Sequence, residues 1–184
     1  IVICPPTFAM YAQSAMLQGV DIRQAPLTNG FGLDPVAIAA AMDEATKLVF
    51  VCSPNNPTGN VMNADDITNL CTRCDSRALV VVDETYIEYA IDSGDATSLI
   101  PELERFANLV VLRTLSKSHA AAGLRCGCLV AASDVTSLMR KVLAPYPVPQ
   151  PVISAALTIL ANDNQRRLAA KRAETIARRV KVMG

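Results

Sequence analysis

The sequence predicts an α/β protein with a doubly wound, mostly parallel sheet and helices on both faces. Several short apolar runs lack the alternation of polar and apolar residues, which is typical of strands that are covered on both faces. Stretches with helical spacing separate these runs, and this order favours parallel strands joined by helical crossovers. In such sheets, ligands bind beyond the carboxyl ends of the strands. The residues that follow each strand are therefore the first candidates for a site.

The first half of the chain predicts three strands, each followed by a helix. Thr7, after a pair of prolines, serves as the first helix cap, and Gly19 ends that helix. Asp34 caps the second helix, which has Pro35 in its first position, and Asn63 caps the third. The elements are strands at 1–4, 20–25 and 48–52 and helices ending near 18, 42 and 73.

The second half predicts three more strands and three helices. The strands are 78–82, 109–112 and 126–131, and a polar loop that contains Gly94 connects the first two. Ser133 or Asp134 caps a helix that runs to about Leu143. A proline-rich segment, 144–149, is a stiff break before two closing helices at about 151–161 and 165–183.

The composition indicates one core-rich domain. Hydrophobic residues make up 51% of the 184 residues and the mean hydropathy is +0.28, which is high for a complete soluble protein. No apolar run approaches the roughly 20 residues of a membrane span. We therefore expect the central piece of a longer protein. We expect residues 1–162 to form a large domain that is incomplete on its N-terminal side, and 163–184 to form a helix leading toward a small C-terminal domain, a division that the resemblance described below implies.

The charge pattern does not favour nucleic acid or a membrane surface as a partner. The formal net charge is zero and the pI is about 6.8, so no global field attracts polyanions. The last helix has an apolar stripe and a basic face, for which we favour a solvated or domain-bridging helix. The stripe comprises Ala169, Ala173, Ile176, Val180 and Met183, and the basic face comprises Arg166, Arg167, Lys171, Arg172, Arg178, Arg179 and Lys181.

The cysteines predict a reducing, cytoplasmic location and no metal site. Four of the six lie in or beside strand-like runs and are interpreted as buried thiols: Cys4, Cys52, Cys126 and Cys128. Cys71 and Cys74 form a lone Cys-x-x-Cys. A zinc site would need two more ligands, and the chain has one histidine, His119. The sequence as given has no signal-peptide pattern, which a fragment can have lost.

Site-like polar residues follow three of the predicted strands. Asn56 follows the strand at 48–52, Asp83 and Tyr86 follow the strand at 78–82, and Lys117 follows the strand at 109–112. The hydroxyls of Thr114, Ser116 and Ser118 surround the lysine, and Arg125 comes eight residues after it.

These residue types suit a phosphorylated aldehyde cofactor. A lysine joins a carbonyl compound through its neutral amine. Because the ordinary pKa of lysine is about 10.4, its site must favour the neutral form. Arginine and hydroxyl donors bind phosphate, for which Arg125, Ser116 and Thr114 are the candidates. Pyridoxal 5′-phosphate (PLP) is such a cofactor, and it also needs a carboxylate, here Asp83, at its ring nitrogen.

Other interpretations compete for the same residues. Asp83-Glu84 after four apolar residues also resembles the metal-binding strand of a P-loop ATPase, but the Gly-x-x-x-x-Gly-Lys-Ser/Thr loop is not in the sequence. Asn56 is also a plausible turn residue, and Tyr86 a plausible core aromatic. His119 is interpreted as local structure, with a catalytic role as the alternative.

Three segments resemble the fold-type I, PLP-dependent aminotransferases. They are Cys-Ser-Pro-Asn-Asn-Pro-Thr-Gly-Asn (52–60), Val-Val-Asp-Glu-Thr-Tyr-Ile-Glu-Tyr (81–89) and Arg-Thr-Leu-Ser-Lys-Ser-His-Ala-Ala-Ala-Gly-Leu-Arg-Cys-Gly (113–127). Pro-Pro-Thr-Phe-Ala-Met-Tyr (5–11) and Ala-Pro-Tyr-Pro (144–147) narrow the resemblance to the histidinol-phosphate aminotransferases. The resemblance extends over essentially the whole chain.

The resemblance implies a role for each candidate residue. Lys117 would join PLP covalently and carry the catalytic proton, and Asp83 would pair with the ring nitrogen. Asn56 and Tyr86 would contact the ring oxygen, and Phe8 would stack on the ring where the family usually has tyrosine. The phosphate would be bound by Thr114, Ser116 and Arg125.

The resemblance further implies a homodimer that acts on small amino-acid and oxo-acid substrates. The family moves an amino group between glutamate and imidazole acetol phosphate in histidine biosynthesis. Ser118 and His119 depart from the small or aromatic residues that are common after the lysine. An aromatic aminotransferase, a threonine-phosphate decarboxylase and a PLP-fold module without catalysis therefore stay open as alternatives.

Overall fold

A single six-stranded sheet organises the molecule, with the strand order β2-β1-β3-β4-β5-β6. The computed structural model describes the backbone of residues 1–183 and the side chains of residues 1–179. The strands are β1 (Val2–Ile3), β2 (Arg23–Gln24), β3 (Leu48–Cys52), β4 (Leu79–Asp83), β5 (Leu109–Thr114) and β6 (Gly127–Ala131). Neighbours are parallel from β2 to β5, and β6 pairs with β5 in the antiparallel sense. The predicted mostly parallel sheet is confirmed.

Seven helices and two 3₁₀ turns complete the described chain. The helices are α1 (Met10–Leu17), α2 (Pro35–Ala41), α3 (Ala64–Cys74), α4 (Ile87–Ser93), α5 (Ser133–Val142), α6 (Gln150–Leu160) and α7 (Asn162–Met183). The 3₁₀ turns are Ile100–Glu104 and Ala122–Leu124. No helix among these is both long and apolar enough to cross a membrane.

Both faces of the central strands are buried, which explains their unbroken apolar runs. Val49 and Val51 of β3 belong to a large core shared with α2 and α3, whereas Cys52 packs with Tyr11 of α1 in a second, smaller cluster. Successive strand residues point to opposite faces. A strand with helices on both sides therefore needs apolar residues at consecutive positions.

Two of the predicted helix caps are confirmed. The Asp34 side chain accepts hydrogen bonds from the amides of Val36 and Ala37, and Asn63 caps α3 in the same way. Thr7 was a wrong prediction for α1, which begins after Ala9, because the Thr7 hydroxyl donates to Asn55 instead.

Two further predictions of local structure were wrong. Neither Ser133 nor Asp134 caps α5, because Ala132 occupies the cap position and Ser133 is the first helical residue. The segment predicted as a polar loop contains α4, which buries Ile87 and Ala90 and ends at Gly94 with a left-handed φ of 79°. The glycine is the usual signal for such a helix end.

The predicted burial is confirmed for Cys4 and Cys52 and is wrong for Cys126 and Cys128. Cys4, Cys52, Cys71 and Cys74 are buried free thiols, and burial raises the pKa of Cys4 to about 12. Cys126 is half-buried and Cys128 is exposed. Both lie at or beside β6, which has a neighbour on one side only.

The last helix buries part of the predicted apolar stripe and one residue of the predicted basic face. Ala169 and Ile176 are partly buried as expected, but Ala173 is exposed. Arg172, assigned to the basic face, is 7% exposed and donates to Asp92 of α4 at 2.6 Å. The side chains of Val180, Lys181 and Met183 lie outside the described residues.

Candidate active site

The carboxyl ends of β3, β4 and β5 lie side by side. In the parallel register, Cys52 pairs with Asp83, and Asp83 pairs with Leu112. The segments that follow these strands therefore leave the sheet at one edge. They contain Asn56, Tyr86 and Lys117, so the three strand ends singled out in the sequence are neighbours in the fold.

Asp83 is the buried carboxylate of this edge, with 8% of its surface exposed. Its Oδ2 accepts a hydrogen bond from the Tyr11 hydroxyl at 2.7 Å. Its Oδ1 accepts from the amide of Thr85 at 3.0 Å and from the Thr85 hydroxyl. These donors fix the orientation of the carboxylate, and Oδ2, which accepts one hydrogen bond, keeps a lone pair for a further donor.

Tyr11 was not recognised from the sequence as a site residue. Its ring stacks on Phe50 with centroids 4.9 Å apart and meets the Phe8 ring edge-on at 5.7 Å. Burial raises the pKa of Tyr11, with Cys52 and Asp83 acting in the same direction. The phenol is therefore a fixed donor to Asp83. The sequence offered one signal, because Tyr11 lies three residues after Phe8 and so on the same side of the predicted helix. A buried tyrosine hydroxyl also needs a hydrogen-bond partner.

Lys117 lies in the lysine loop, which we define as residues 115–121, directly after β5. Its side chain is exposed, and Nζ lies 5.7 Å from the centroid of the Tyr86 ring. That distance is within the range of a cation–π contact. An exposed amine beside an aromatic ring is accessible to a carbonyl compound and has a defined neighbour.

The two asparagines of the turn after β3 differ in environment. Asn55 is 3% exposed, and its amide nitrogen donates to Pro6 O at 2.9 Å and to the Thr58 hydroxyl at 2.6 Å. Asn56 is half-buried, and its side chain makes no hydrogen bond to any described residue. Asn55 therefore stabilises the turn, and Asn56 has an amide that is available to a ligand.

Asn56 and Tyr86 line a cavity of about 380 Å³. Its opposite wall is α7, which contributes Thr175, Ile176 and Arg179. Among the described residues, Asp83 and Lys117 are not part of the lining. The cavity is therefore adjacent to the strand-end residues and includes only two of them.

The hydroxyl candidates for an anion site lie together. Thr114 Oγ1 donates to Ser116 Oγ at 2.9 Å and accepts from the Ser116 amide at 3.1 Å. The ladder between β5 and β6 continues with Leu115 N donating to Cys126 O at 3.1 Å, which brings Arg125 toward Ser116. The side chain of Arg125 is exposed, and Nη1 donates to Ala122 O at 3.0 Å.

Two of the sequence candidates lie at the margins of this arrangement. Phe8 is 39% exposed and contacts Tyr11, so it lies on the side of the sheet from which Tyr11 reaches Asp83. His119 is half-buried, and its Nδ1 lies 3.0 Å from Ser118 Oγ. Burial lowers the pKa of His119, and the charges of Arg172 and Arg113 lower it further, whereas the charge of Glu88 raises it.

Clusters with metal-binding composition are not found in the described part of the chain. No group of three His, Cys, Asp or Glu side chains there could hold a metal ion.

Comparison with known proteins gives a family match over the described length. The family model "Aminotransferase class I and II" matches residues 1–183. "Histidinol-phosphate aminotransferase 2" of Idiomarina loihiensis is 46% identical over 99% of this chain and 51% of its own length. "Histidinol-phosphate aminotransferase" of Photobacterium profundum is 48% identical over 91% of this chain and 43% of its own length.

Solved structures show the same fold at low sequence identity. The histidinol-phosphate aminotransferase of Clostridium acetobutylicum superimposes with a TM-score of 0.81 at 21% identity, over 93% of this chain and 50% of that chain. The enzyme of that name from Sinorhizobium meliloti, solved in complex with pyridoxal-5′-phosphate, gives 0.81 at 22% identity, over 95% and 47%. L-threonine-O-3-phosphate decarboxylase of Porphyromonas gingivalis gives 0.72 at 23%, over 86% and 46%. The chain spans about half the length of the curated relatives it matches.

Proposed function

Because the chain belongs to the family of class I and class II aminotransferases, we propose that its strand-end residues bind PLP and that Lys117 is the catalytic amine. The register that aligns Cys52, Asp83 and Leu112 carries this proposal. It brings a buried carboxylate and an exposed lysine to the same edge of the sheet. The P-loop ATPase alternative is wrong, because the aminotransferase model matches residues 1–183.

The donor set at this edge fits PLP. Asp83 has an unused lone pair for a protonated ring nitrogen, and its orientation is fixed by Tyr11. The Asn56 amide and the Tyr86 hydroxyl are free of hydrogen bonds to described residues and suit the ring oxygen. The exposed Phe8 ring offers an apolar face for stacking.

The phosphate of the cofactor matches a second group of residues. Thr114 and Ser116 present adjacent hydroxyls, and the guanidinium of Arg125 carries donors in a planar fork that suits phosphate oxygens. The Arg125 side chain would need to leave Ala122 O to make this contact.

The chemistry divides between the cofactor and the chain. When bound, PLP supplies an aldehyde that joins amines and a ring that withdraws electrons. Lys117 would act through Nζ, first as a nucleophile and then as the atom that accepts and returns the substrate proton. Asp83 would keep a proton on the ring nitrogen and so maintain the withdrawal of electrons.

For the intact protein, we propose transfer of an amino group from glutamate to imidazole acetol phosphate. The products are 2-oxoglutarate and histidinol phosphate, and the reaction belongs to histidine biosynthesis. Support comes from the curated relatives of that name, which are 46% and 48% identical over at least 91% of this chain. The proposal includes a cytoplasmic homodimer with small amino-acid and oxo-acid substrates.

The test of the cofactor site is covalent labelling. The intact protein is incubated with PLP, reduced with sodium borohydride and digested, and the labelled peptide is identified by mass spectrometry. We expect the label on Lys117 and none in a Lys117→Arg variant, whereas Lys47→Arg keeps the label. A label at another lysine, or none, contradicts the proposal.

The substrate is tested separately by comparing turnover. We expect a higher kcat/KM for histidinol phosphate than for phenylalanine or threonine phosphate. A preference for phenylalanine would identify an aromatic aminotransferase. Decarboxylation of threonine phosphate would identify a threonine-phosphate decarboxylase. A protein that is labelled at Lys117 but turns over none of the three would be a binding module without catalysis.

A further inference from the structure

The lysine loop is tied to α4 by the residue that follows the lysine. Ser118 is 3% exposed, and its hydroxyl donates to Glu88 Oε2 at 2.7 Å. Lys117 and Ser118 are consecutive, so this bond restrains the backbone that carries the amine. A buried serine with a charged acceptor makes a stronger hydrogen bond than one with a neutral acceptor.

Glu88 is itself held from the interior of the molecule. Arg113 donates through Nη2 to Glu88 Oε1 and through Nη1 to Glu84 Oε2, the latter at 3.0 Å. Glu84 is 1% exposed and accepts from Leu99 N and Ser98 Oγ, each at 2.7 Å. The acceptor for Ser118 is therefore part of a connected, partly buried set of charges with little freedom to move.

The same helix also contacts the lysine side chain. Tyr86 occupies the N-cap position of α4, and its ring centroid lies 5.7 Å from Lys117 Nζ. Glu88 lies in the first turn of α4. One short helix thus contacts the amine through Tyr86 and the adjoining backbone through Glu88.

We propose that Glu88 is a positioning residue for Lys117, acting through the Ser118 hydroxyl to set the place of Nζ beside Tyr86. The inference rests on the proposed function, because it assumes that Lys117 is the catalytic amine.

His119 completes the arrangement, and its tautomer follows from the direction of the bond between Ser118 and Glu88. The Ser118 hydroxyl has one proton, and the bond to Glu88 uses it. The 3.0 Å contact between Ser118 Oγ and His119 Nδ1 then requires the hydrogen to be on Nδ1. The order is His119 Nδ1–H to Ser118 Oγ–H to Glu88.

The test breaks the link from each side in the intact protein. Ser118→Ala, Glu88→Ala and the double variant should each lower kcat by about 10-fold, with little change in KM, because a misplaced group loses rate without losing substrate contacts. The double variant should lose no more than the single variants, since all three break the same link. Without added PLP, amide hydrogen exchange in residues 115–121 should be faster in all three.

Two controls separate positioning from general damage. Ser98→Ala removes a hydroxyl from the same charged set without contacting the lysine loop, and it should keep the wild-type kcat and loop exchange. Glu88→Gln keeps an acceptor for Ser118 and should retain more than about half of kcat, although it weakens the ion pair with Arg113. If Glu88→Ala does not fold, Ser118→Ala decides the matter alone.

The outcomes are distinguishable from a failure of the proposed function. Labelling of Lys117 in the wild-type protein is measured first, and its absence contradicts the proposed function. If Lys117 is labelled but Ser118→Ala has wild-type kcat and loop exchange, the positioning role alone is overturned. A lower Tm with unchanged kcat in Ser118→Ala would assign the link to stability and would also overturn it.

Discussion

At the scale of single residues, Asn55 and Asn56 show how far a sequence motif identifies a ligand. Both lie in the same turn, yet Asn55 is saturated by bonds to Pro6, Thr7 and Thr58, and Asn56 has none to a described residue. The motif indicated the turn and the resemblance selected Asn56. The physical reason to favour Asn56 is that its side-chain amide is unpaired. This reason depends on Pro6 and Thr7, which bond to Asn55 and lie far from it in the sequence.

Tyr11 yields a prediction for stability. Tyr11→Phe removes the donor to Asp83 Oδ2 and keeps the ring that stacks on Phe50. The buried carboxylate then has one unmade hydrogen bond, so we expect a loss of about 1–3 kcal/mol in the free energy of unfolding. Urea unfolding measures it, and a wild-type value would mean that the hydroxyl contributes nothing to Asp83.

Phe50→Leu is the matched control for the Tyr11 variant. It removes the stacking ring and keeps the hydrogen bond from Tyr11 to Asp83. PLP affinity should therefore fall in Tyr11→Phe, because the carboxylate loses its orientation, and should stay close to wild type in Phe50→Leu.

His119 yields a prediction for pH. Its pKa in the folded protein is lowered by burial, so the unfolded chain binds a proton at a higher pH than the folded one. Stability from neutral His119 is present above the unfolded value of about 6.5 and is lost as pH falls through the folded pKa. The expected loss is below about 1.4 kcal/mol for each pH unit.

The measurement compares the wild type with His119→Asn between pH 7.5 and pH 5 by urea unfolding. The chain contains one histidine, which simplifies the comparison because no other imidazole titrates in this range. The free energy of unfolding should fall more steeply with acid in the wild type. Parallel curves would show that the environment of His119 does not favour its neutral form.

At the scale of elements, the antiparallel pair of β5 and β6 brings the anion-binding candidates together. Gly127 lies opposite Thr114 in this pair. A Cβ on Gly127 would lie 2.9 Å from Arg113 O, which is a backbone atom and cannot give way easily. The pair therefore depends on a glycine at this position.

Gly127→Ala should therefore destabilise the protein by about 1–3 kcal/mol and weaken PLP binding by spreading Thr114 away from Arg125. Thermal unfolding and a fluorescence titration with PLP measure the two effects. Gly123→Ala is the control, because a Cβ there meets nothing within 4 Å. Equal effects of the two substitutions would contradict the packing explanation.

The helix caps that the sequence predicted correctly are those with local hydrogen-bond partners. Asp34 and Asn63 cap their own helices through amides two and three residues away. Thr7 has the same chemistry, but its partner Asn55 lies 48 residues along the chain. The bond from Tyr11 to Asp83 spans 72 residues, so no local pattern could show it.

At the scale of the whole molecule, α7 contacts α4 through an ion pair in which the arginine is buried and the aspartate is partly exposed. The Arg172 side chain is 8% exposed and Asp92 is 23% exposed. Arg172 Nη1 has no hydrogen-bond partner among the described residues, so the guanidinium already lacks one bond. The two partners therefore contribute unequally.

Asp92→Ala should cost about 3 kcal/mol, because it leaves a buried guanidinium without its counter-charge. Arg172→Met should cost only about 1 kcal/mol, since Asp92 can reach water and the methionine keeps part of the packing. Urea unfolding measures both losses. Glu174→Ala, which breaks the exposed ion pair with Arg178, is the control and should change the free energy of unfolding by close to zero. A larger loss for Arg172→Met would contradict the assigned asymmetry.

The topology also sets an order in which the site can be assembled during folding. The pairing of β5 with β6 joins strands that are separated only by the lysine loop and the turn after it, so it closes a short stretch of chain. The pairing of β4 with β5 is parallel and requires the crossover through α4. A chain caught between these events would carry the proposed nucleophile and phosphate donors without the carboxylate, and would be able to bind an aldehyde before it was able to use one.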